Sequence, residues 1–174
     1  MKIIRKSMEN ILTCGQCIFN SLILLIVANG MPILSRDIFG AHGSWPVDFG
    51  CIFFDKKPLF GYSKTWRGII MAVLATSLIA PLFALNYLSG ALFGLFVMSG
   101  DLIASFTKRR LGYIESSRFR ILDTLPESLL PLILLRETLA LGFIEIIATV
   151  ILFFTFEILF SPLLFRLHIR KRPY

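Results

Sequence analysis

The longest uncharged stretch of the chain, residues 68–100, contains no Asp, Glu, Lys or Arg. A membrane-spanning helix needs about 20 apolar residues, so this stretch is too long for one span and long enough for two. The polar residue Asn86 marks the expected break and divides the stretch into predicted spans at residues 68–85 and 88–107. The chain therefore contains at least one helical pair that belongs in a membrane.

Three further apolar segments complete a predicted bundle, at residues 11–31, 121–135 and 139–160, of which the middle one is the shortest. A hydrophobic fraction of 56% and a mean hydropathy of +0.76 exclude an ordinary soluble domain. The 174 residues leave no room for a separate soluble domain beside the bundle. We predict an all-α integral membrane protein of about five transmembrane helices, with one domain over residues 1–174 and a long loop between the first two helices.

The distribution of Lys and Arg predicts the orientation in the membrane. Fourteen of the 18 cations fall on the side of the first loop, the third loop and the C-terminus, and the other four on the opposite side. Because cytoplasmic segments are enriched in Lys and Arg, we place the fourteen in the cytoplasm and the N-terminus outside, in a multi-pass protein of the plasma membrane (the inner membrane of the cell). The net charge of +7 then reflects orientation and contact with anionic headgroups, and we expect no nucleic acid partner. The fourteen are Arg36, Lys56, Lys57, Lys64, Arg67, Lys108, Arg109, Arg110, Arg118, Arg120, Arg166, Arg170, Lys171 and Arg172.

An acid, a hydroxyl and a basic cluster follow one another at the end of the predicted third span. Asp101, Ser105 and Lys108 are four and three residues apart, so a helix places them on one face, with Arg109 beside them. An acid inside a membrane span is expensive and is seldom placed there without a partner or a metal. A possible Mg²⁺ ligand next to phosphate-binding cations indicates chemistry on a phosphorylated substrate at the membrane surface.

The two polar loops carry further candidates, and each also has a simpler interpretation. Lys64, Thr65 and Arg67 lie at the start of the second span, where a helix N-terminus favours polyphosphate. They are equally typical of interfacial anchoring residues. Lys108 and the two arginines after it can be a topological signal alone, and Asp123 can be an acid that interacts favourably with the dipole of its helix.

Several motifs together resemble those of a known enzyme family. The stretch GDLIASFTKRRLG, followed about a dozen residues later by Asp123, is similar to the signature of CTP-dependent phosphatidate cytidylyltransferases, and more closely to that of the CDP-archaeol synthase family. The segments ANGMP, PVDFG and LFGYSKTWRG precede it in the order and spacing of that family. The resemblance implies an enzyme that transfers CMP from CTP to a lipid phosphate, yielding a CDP-activated lipid and pyrophosphate, with Mg²⁺ as cofactor.

The resemblance also implies roles for individual residues. Asp101 and Asp123 would hold the metal, and where archaeal members commonly read D-Q-x-D this chain reads D-T-L-P, so Glu127 is the candidate for the missing second acid. The implied catalytic residues are Asp101, Asp123, Lys108 and Arg109, and the implied substrate-binding residues are Lys64, Thr65, Arg67, Ser105, Asn29 and Asp48.

Two other classes of protein compete with this interpretation. A small membrane transporter would also place acids in spans, but it typically shows paired halves with broken helices, and the sequence has no internal repeat. A non-catalytic lipid-binding protein would explain the basic loops but not the alignment of Asp101 with Ser105 and Lys108. The partners expected are CTP, a lipid phosphate and the bilayer; the identity of the lipid and the existence of a homodimer stay open.

Overall fold

Five long helices make up most of the protein. The computed structural model describes the backbone of residues 2–113 and 119–166, and the side chains of residues 15–113 and 119–160. The helices are α1 (Lys2–Phe39), α2 (Trp66–Ile79), α3 (Tyr87–Arg110), α4 (Arg120–Leu134) and α5 (Phe143–Arg166), with a 3₁₀ turn (Ala80–Phe83) after α2. Within these described ranges β-pairing is limited to two isolated bridges, Pro46 with Thr65 and Ile52 with Pro58. The predicted all-α fold is confirmed.

Four of the described helical segments are long and apolar enough to cross a membrane: Gly15–Phe39, Trp66–Phe83, Tyr87–Arg110 and Phe143–Phe160. The fifth helix, α4, has 15 residues. At 1.5 Å per residue it is about 22 Å long, which is less than the roughly 30 Å of a hydrocarbon core. The prediction of five helices is therefore confirmed. Helix α2 itself has 14 residues, but the 3₁₀ turn after it brings its apolar segment to 18, so α4 is the shortest of the five apolar segments. The predicted cations Arg118, Arg170, Lys171 and Arg172 lie outside the described residues.

Two predicted boundaries are wrong. The first span was predicted to end at residue 31, but α1 continues through Pro32 to Phe39, so the connecting loop comprises residues 40–65. A proline inside a helix removes one backbone hydrogen bond, and the long apolar helix around Pro32 tolerates this loss. The last helix begins at Phe143 rather than near Leu139, because the preceding residues form a turn closed by a 2.8 Å bond from Leu141 N to the Arg136 carbonyl.

Helix α3 lies at the centre of the bundle and packs on α1, α2 and α4. Three buried glycines allow these close approaches, since a Cβ at Gly90 or Gly94 would lie 2.5 or 2.3 Å from atoms of α2 or of the 3₁₀ turn after it, and one at Gly100 would lie 2.3 Å from the Pro126 carbonyl oxygen. Small residues let membrane helices approach through their backbones, where van der Waals packing drives association. The contact at Gly100 fixes α4 beside the charged end of α3.

Candidate active site

A partly buried ion pair joins the connecting loop to the middle helix. The Lys64 ammonium lies 2.6 Å from Oδ1 and 2.5 Å from Oδ2 of Asp101, and both side chains are about one quarter exposed. Asp101 is about two and a half turns before the end of α3. Its position within the span matches the prediction, and its partner is a lysine 37 residues earlier in the chain.

A second ion pair joins α3 to α4. The Lys108 ammonium lies 2.6 Å from Oδ1 of Asp123, and Lys108 is buried. Ser105, one turn earlier on the same face, is also buried. The face of Asp101, Ser105 and Lys108 that the sequence predicts therefore points into the protein and towards α4.

Further acids lie beside these two pairs. Glu127 is buried in α4, close enough to Asp101 and Asp123 to interact with them electrostatically, and no hydrogen bond to it forms within the described part of the chain. Glu157 of α5 accepts a 2.6 Å hydrogen bond from the Thr124 hydroxyl, and it also interacts electrostatically with Glu127. Thr124 and Glu157 are neighbours of the site that the motifs did not indicate, because nothing in local spacing relates α4 to α5.

Lys64 remains a cation under ordinary conditions. Burial alone would lower the pKa of its ammonium, but the Asp101 carboxylate, together with Glu127 and Asp123, raises this pKa above the usual lysine value. Because the folded pKa is raised, the stabilisation is complete near neutral pH and is lost only as the pH rises through that value. Lys64 is therefore positively charged in its ion pair with Asp101.

Thr65 and Arg67, at the start of α2, make hydrogen bonds to the backbone of the helix and of the connecting loop in this structure. The Thr65 hydroxyl caps α2 by accepting a 3.3 Å bond from Gly68 N. Arg67 donates to the carbonyl oxygens of Gly40 and His42 and so ties the start of the loop to its end. Both predicted substrate-binding residues lie close to Lys64 in sequence, with their polar groups engaged in loop contacts.

The arginines at the end of α3 hold the other side of the loop. Arg109 is buried. Its guanidinium donates a 2.6 Å hydrogen bond to the carbonyl oxygen of Tyr113 and a longer one, of 3.5 Å, to the carbonyl oxygen of Phe60. Arg110, to which the motif gave no role, pairs with Asp55 and donates over 2.6 Å to the Pro58 carbonyl. The basic cluster therefore anchors the loop on α3 as well as adding positive charge.

Asp48 and Asn29 contact backbone groups. Asp48 accepts hydrogen bonds from the N–H groups of Phe60, Gly61 and Gly50 at 2.9 to 3.1 Å. Burial would raise the pKa of its carboxyl group, but these bonds outweigh burial and hold the pKa below its ordinary value. The Asn29 amide donates over 3.2 Å to the carbonyl of Leu25 within α1.

The donor chemistry of the site fits a hard divalent cation. Within the described residues no three His, Cys, Asp or Glu side chains are gathered as a ready metal site. Mg²⁺, however, is commonly bound by one or two carboxylates and completed by water and substrate phosphates. Asp101 and Asp123 supply carboxylates of this kind, each neutralised here by a lysine.

Comparison with known proteins places this arrangement in context. A family model described as CarS-like CDP-archaeol synthase matches residues 15–174. The CDP-archaeol synthase of Hyperthermus butylicus is 35% identical over 111 residues, which cover 60% of this chain and 63% of that protein. The CDP-archaeol synthase of Archaeoglobus fulgidus is 40% identical over 100 residues, or 48% of this chain and 56% of that protein. The chain thus spans less than two thirds of the length of these relatives.

One solved structure shares the fold. It is the structure of an intramembrane enzyme for archaeal membrane lipids biosynthesis. The match has a TM-score of 0.66 and covers 79% of this chain and 90% of that chain. At 24% sequence identity the likeness concerns the fold alone. Together with the four candidate spans, it makes this chain a multi-pass membrane protein.

Proposed function

Because the chain belongs to the CDP-archaeol synthase family, we propose that it transfers CMP from CTP to a membrane lipid phosphate. The products are pyrophosphate and a CDP-activated lipid of the CDP-archaeol or CDP-diacylglycerol type, for phospholipid biosynthesis. A transporter or a non-catalytic lipid-binding protein is not favoured by this family membership.

The observation that carries the proposal is the juxtaposition of the two lysine–aspartate pairs. Lys64 with Asp101 and Lys108 with Asp123 bring together the connecting loop, α3 and α4. The reaction must gather a triphosphate and a lipid phosphate, which repel each other. Preorganised cations with nearby carboxylates in a partly buried site are suited to that task, because electrostatic stabilisation is strong where water is scarce.

The chemistry needs no protein nucleophile. An oxygen of the lipid phosphate attacks the α-phosphorus of CTP, the new P–O bond forms, and the bond to the β-phosphate oxygen breaks to release pyrophosphate. Lys64 and Lys108 bind and orient the phosphates so that nucleophile and leaving group lie in line. The lipid phosphate is already ionised near neutral pH, so no general base is required.

We assign the metal-binding role to Asp101 and Asp123, with Glu127 as the further acid. A divalent cation held there would supply charge neutralisation to phosphate oxygens. Each of these aspartates pairs with a lysine, and substrate phosphates would give the two lysines further anionic partners. Arg109 and Arg67 add positive potential in this proposal. They and Thr65 also hold the connecting loop. Ser105 lies on the same face of α3 as Asp101 and Lys108.

The site faces the cytoplasm in this proposal, because the connecting loop and the segment between α3 and α4 carry most of the cations. That orientation gives access to cytosolic CTP, while the lipid phosphate reaches the site from the plasma membrane.

Purification in detergent followed by incubation with CTP, Mg²⁺ and a panel of lipid phosphates tests the proposal. The panel contains archaeol phosphate, phosphatidate and isoprenoid phosphates, and mass spectrometry detects the CDP-lipid. We expect one CDP-lipid to form in a CTP-dependent manner. A protein that folds and binds CTP but yields no CDP-lipid from any of them would contradict the proposed reaction.

A further inference from the structure

The connecting loop contains a short hairpin, residues 51–59. Phe53 N donates to the Lys57 carbonyl over 2.9 Å, and Lys56 N donates to the Phe53 carbonyl over 2.9 Å. Lys56 has a φ of 59°, in the left-handed region. A turn that ends in a left-handed residue is a common way to close a hairpin. The backbone therefore holds Phe54 in a defined place at the tip.

The hairpin packs on the last turns of α3 through Arg110. The Arg110 guanidinium pairs with Asp55 and donates to the Pro58 carbonyl over 2.6 Å. It also lies over two rings, 4.8 Å from the centroid of Phe53 and 5.0 Å from that of Phe106. The two rings meet edge to face at a centroid separation of 5.5 Å. Because cation–π and aromatic contacts add to these polar contacts, the hairpin has a fixed position on α3.

The side of α3 that the hairpin covers continues into a surface that meets lipid. Phe106 and Arg110 follow Ile103 at intervals of three and four residues, so the three share one side of the helix. Ile103 is 49% exposed inside a candidate membrane span, where an exposed apolar side chain contacts acyl chains. Arg110 is the last residue of α3. The hairpin therefore lies at the end of the lipid-facing surface, at the level where the span leaves the membrane.

The outer surface of the hairpin combines apolar and cationic side chains. Phe54 is 97% exposed and Ile52 is 69% exposed, although neither belongs to a membrane-spanning helix. Lys56 is exposed next to them in the chain. Exposure of large apolar side chains to water is unfavourable, whereas aromatic and basic side chains together are favoured at the membrane interface. The composition of the tip thus matches the headgroup region of a bilayer.

We propose that the tip of this hairpin docks into the bilayer in which the protein lies. Phe54 and Ile52 insert among the upper parts of the acyl chains, and Lys56 contacts the phosphates of anionic headgroups. Charge complementarity and continuity with the lipid-facing side of α3 identify the bilayer as the partner. The inference is independent of the proposed reaction. Because the connecting loop also carries Lys64, the docked hairpin holds that loop at the depth of the headgroups.

A fluorescent label at the tip tests the proposal. The protein carries Phe54→Cys in a background without native cysteines, and it is labelled with the polarity-sensitive dye NBD. It is placed in lipid nanodiscs of phosphatidylcholine with or without phosphatidylglycerol, in which both faces of the bilayer meet the buffer. With the anionic lipid present, we expect strong quenching by lipids brominated high on the acyl chain and weak quenching by aqueous iodide. Glu137→Cys, at a side chain that is 89% exposed, is the control, and the reverse pattern is expected there.

A charge change separates headgroup recognition from insertion of the dye itself. One basic residue near an anionic surface changes membrane binding about fivefold, so Lys56→Gln should lower the ratio of docked to undocked label by about that factor. The ratio should not change in neutral nanodiscs. Arg136→Gln, which removes a cation that is 61% exposed outside the hairpin, is the matched control and should leave the ratio unchanged.

Three outcomes would overturn the proposal. The first is a label at position 54 that iodide reaches as readily as the label at position 137. The second is quenching by brominated lipid that is the same with and without phosphatidylglycerol and is unaffected by Lys56→Gln, because the dye would then insert by itself. The third is protection of the label from both quenchers, which would assign the tip to a protein contact.

Discussion

Helices α3 and α4 approach each other closely at Gly100, and this approach predicts how the site is held together. A Cβ at Gly100 would lie 2.3 Å from the carbonyl oxygen of Pro126 and 2.6 Å from the Cα of Glu127. These are backbone atoms and cannot rotate away. To reach an ordinary contact near 3.4 Å, Gly100→Ala must therefore move the two helices apart by about 1 Å.

The displacement should affect stability modestly and catalysis strongly. Overpacking of this kind costs about 1–3 kcal/mol, and the helix propensity of alanine returns up to about 1 kcal/mol of it. The next residue, Asp101, belongs to one ion pair and Asp123 of α4 to the other, so moving the helices apart displaces the two pairs relative to each other. A misplacement of about 1 Å between reacting groups can cost about a hundredfold in rate, so kcat/KM for CTP should fall by about that factor.

Thermal unfolding in detergent and steady-state kinetics measure the two effects together. The control is Gly30→Ala in α1, where an added Cβ meets no atom within 4 Å. We expect the control to unfold at the same or a slightly higher temperature and to keep its activity. If Gly100→Ala matched the control in both measurements, the close approach of α3 and α4 would not support the site as argued.

Three further predictions concern charge and orientation. Asp101→Asn should lower Mg²⁺-dependent turnover by several orders of magnitude without loss of expression, because the amide cannot supply the charge that a hard cation needs. The matched control is Glu137→Gln, at a side chain that is 89% exposed. Full activity of Asp101→Asn would remove that residue from the site. Lys108→Ala should lower kcat/KM for CTP about ten- to a hundredfold through loss of a charge-assisted contact, and unchanged kinetics would reduce this lysine to a topology signal. In a background without native cysteines, a membrane-impermeant thiol reagent applied to intact cells should label Ile3→Cys but not Tyr113→Cys, and the reverse pattern would place the site outside the cell.

The helices themselves followed from the length of the apolar stretches. Apolar length and polar breaks predicted five helices in the correct order, because membrane spans are set by hydrophobic thickness rather than by tertiary detail. The extension of α1 through Pro32 could not be predicted in this way, since a proline usually ends a helix and only its packed surroundings decide otherwise. The late start of α5 depends on a turn whose hydrogen bonds are not visible in composition.

Part of the site was also visible in the sequence. Helical spacing predicted the face that carries Asp101 and Lys108, because i to i+7 geometry is local. The partner of each charge was not predictable, since Lys64 reaches Asp101 only after the loop folds back on α3. The contacts of Arg109 with the connecting loop are long-range in the same sense, and a basic motif alone cannot separate anchoring from catalysis.

The most direct test of the central claim follows the phosphorus atoms of CTP. The purified protein is incubated with Mg²⁺, the accepted lipid phosphate and CTP radiolabelled at either the α- or the γ-phosphate. Our account predicts that the α-label enters the lipid fraction and that the γ-label is released as pyrophosphate in equal amount. Transfer of the γ-label to the lipid, or release of both labels into water with none in the lipid, would contradict it.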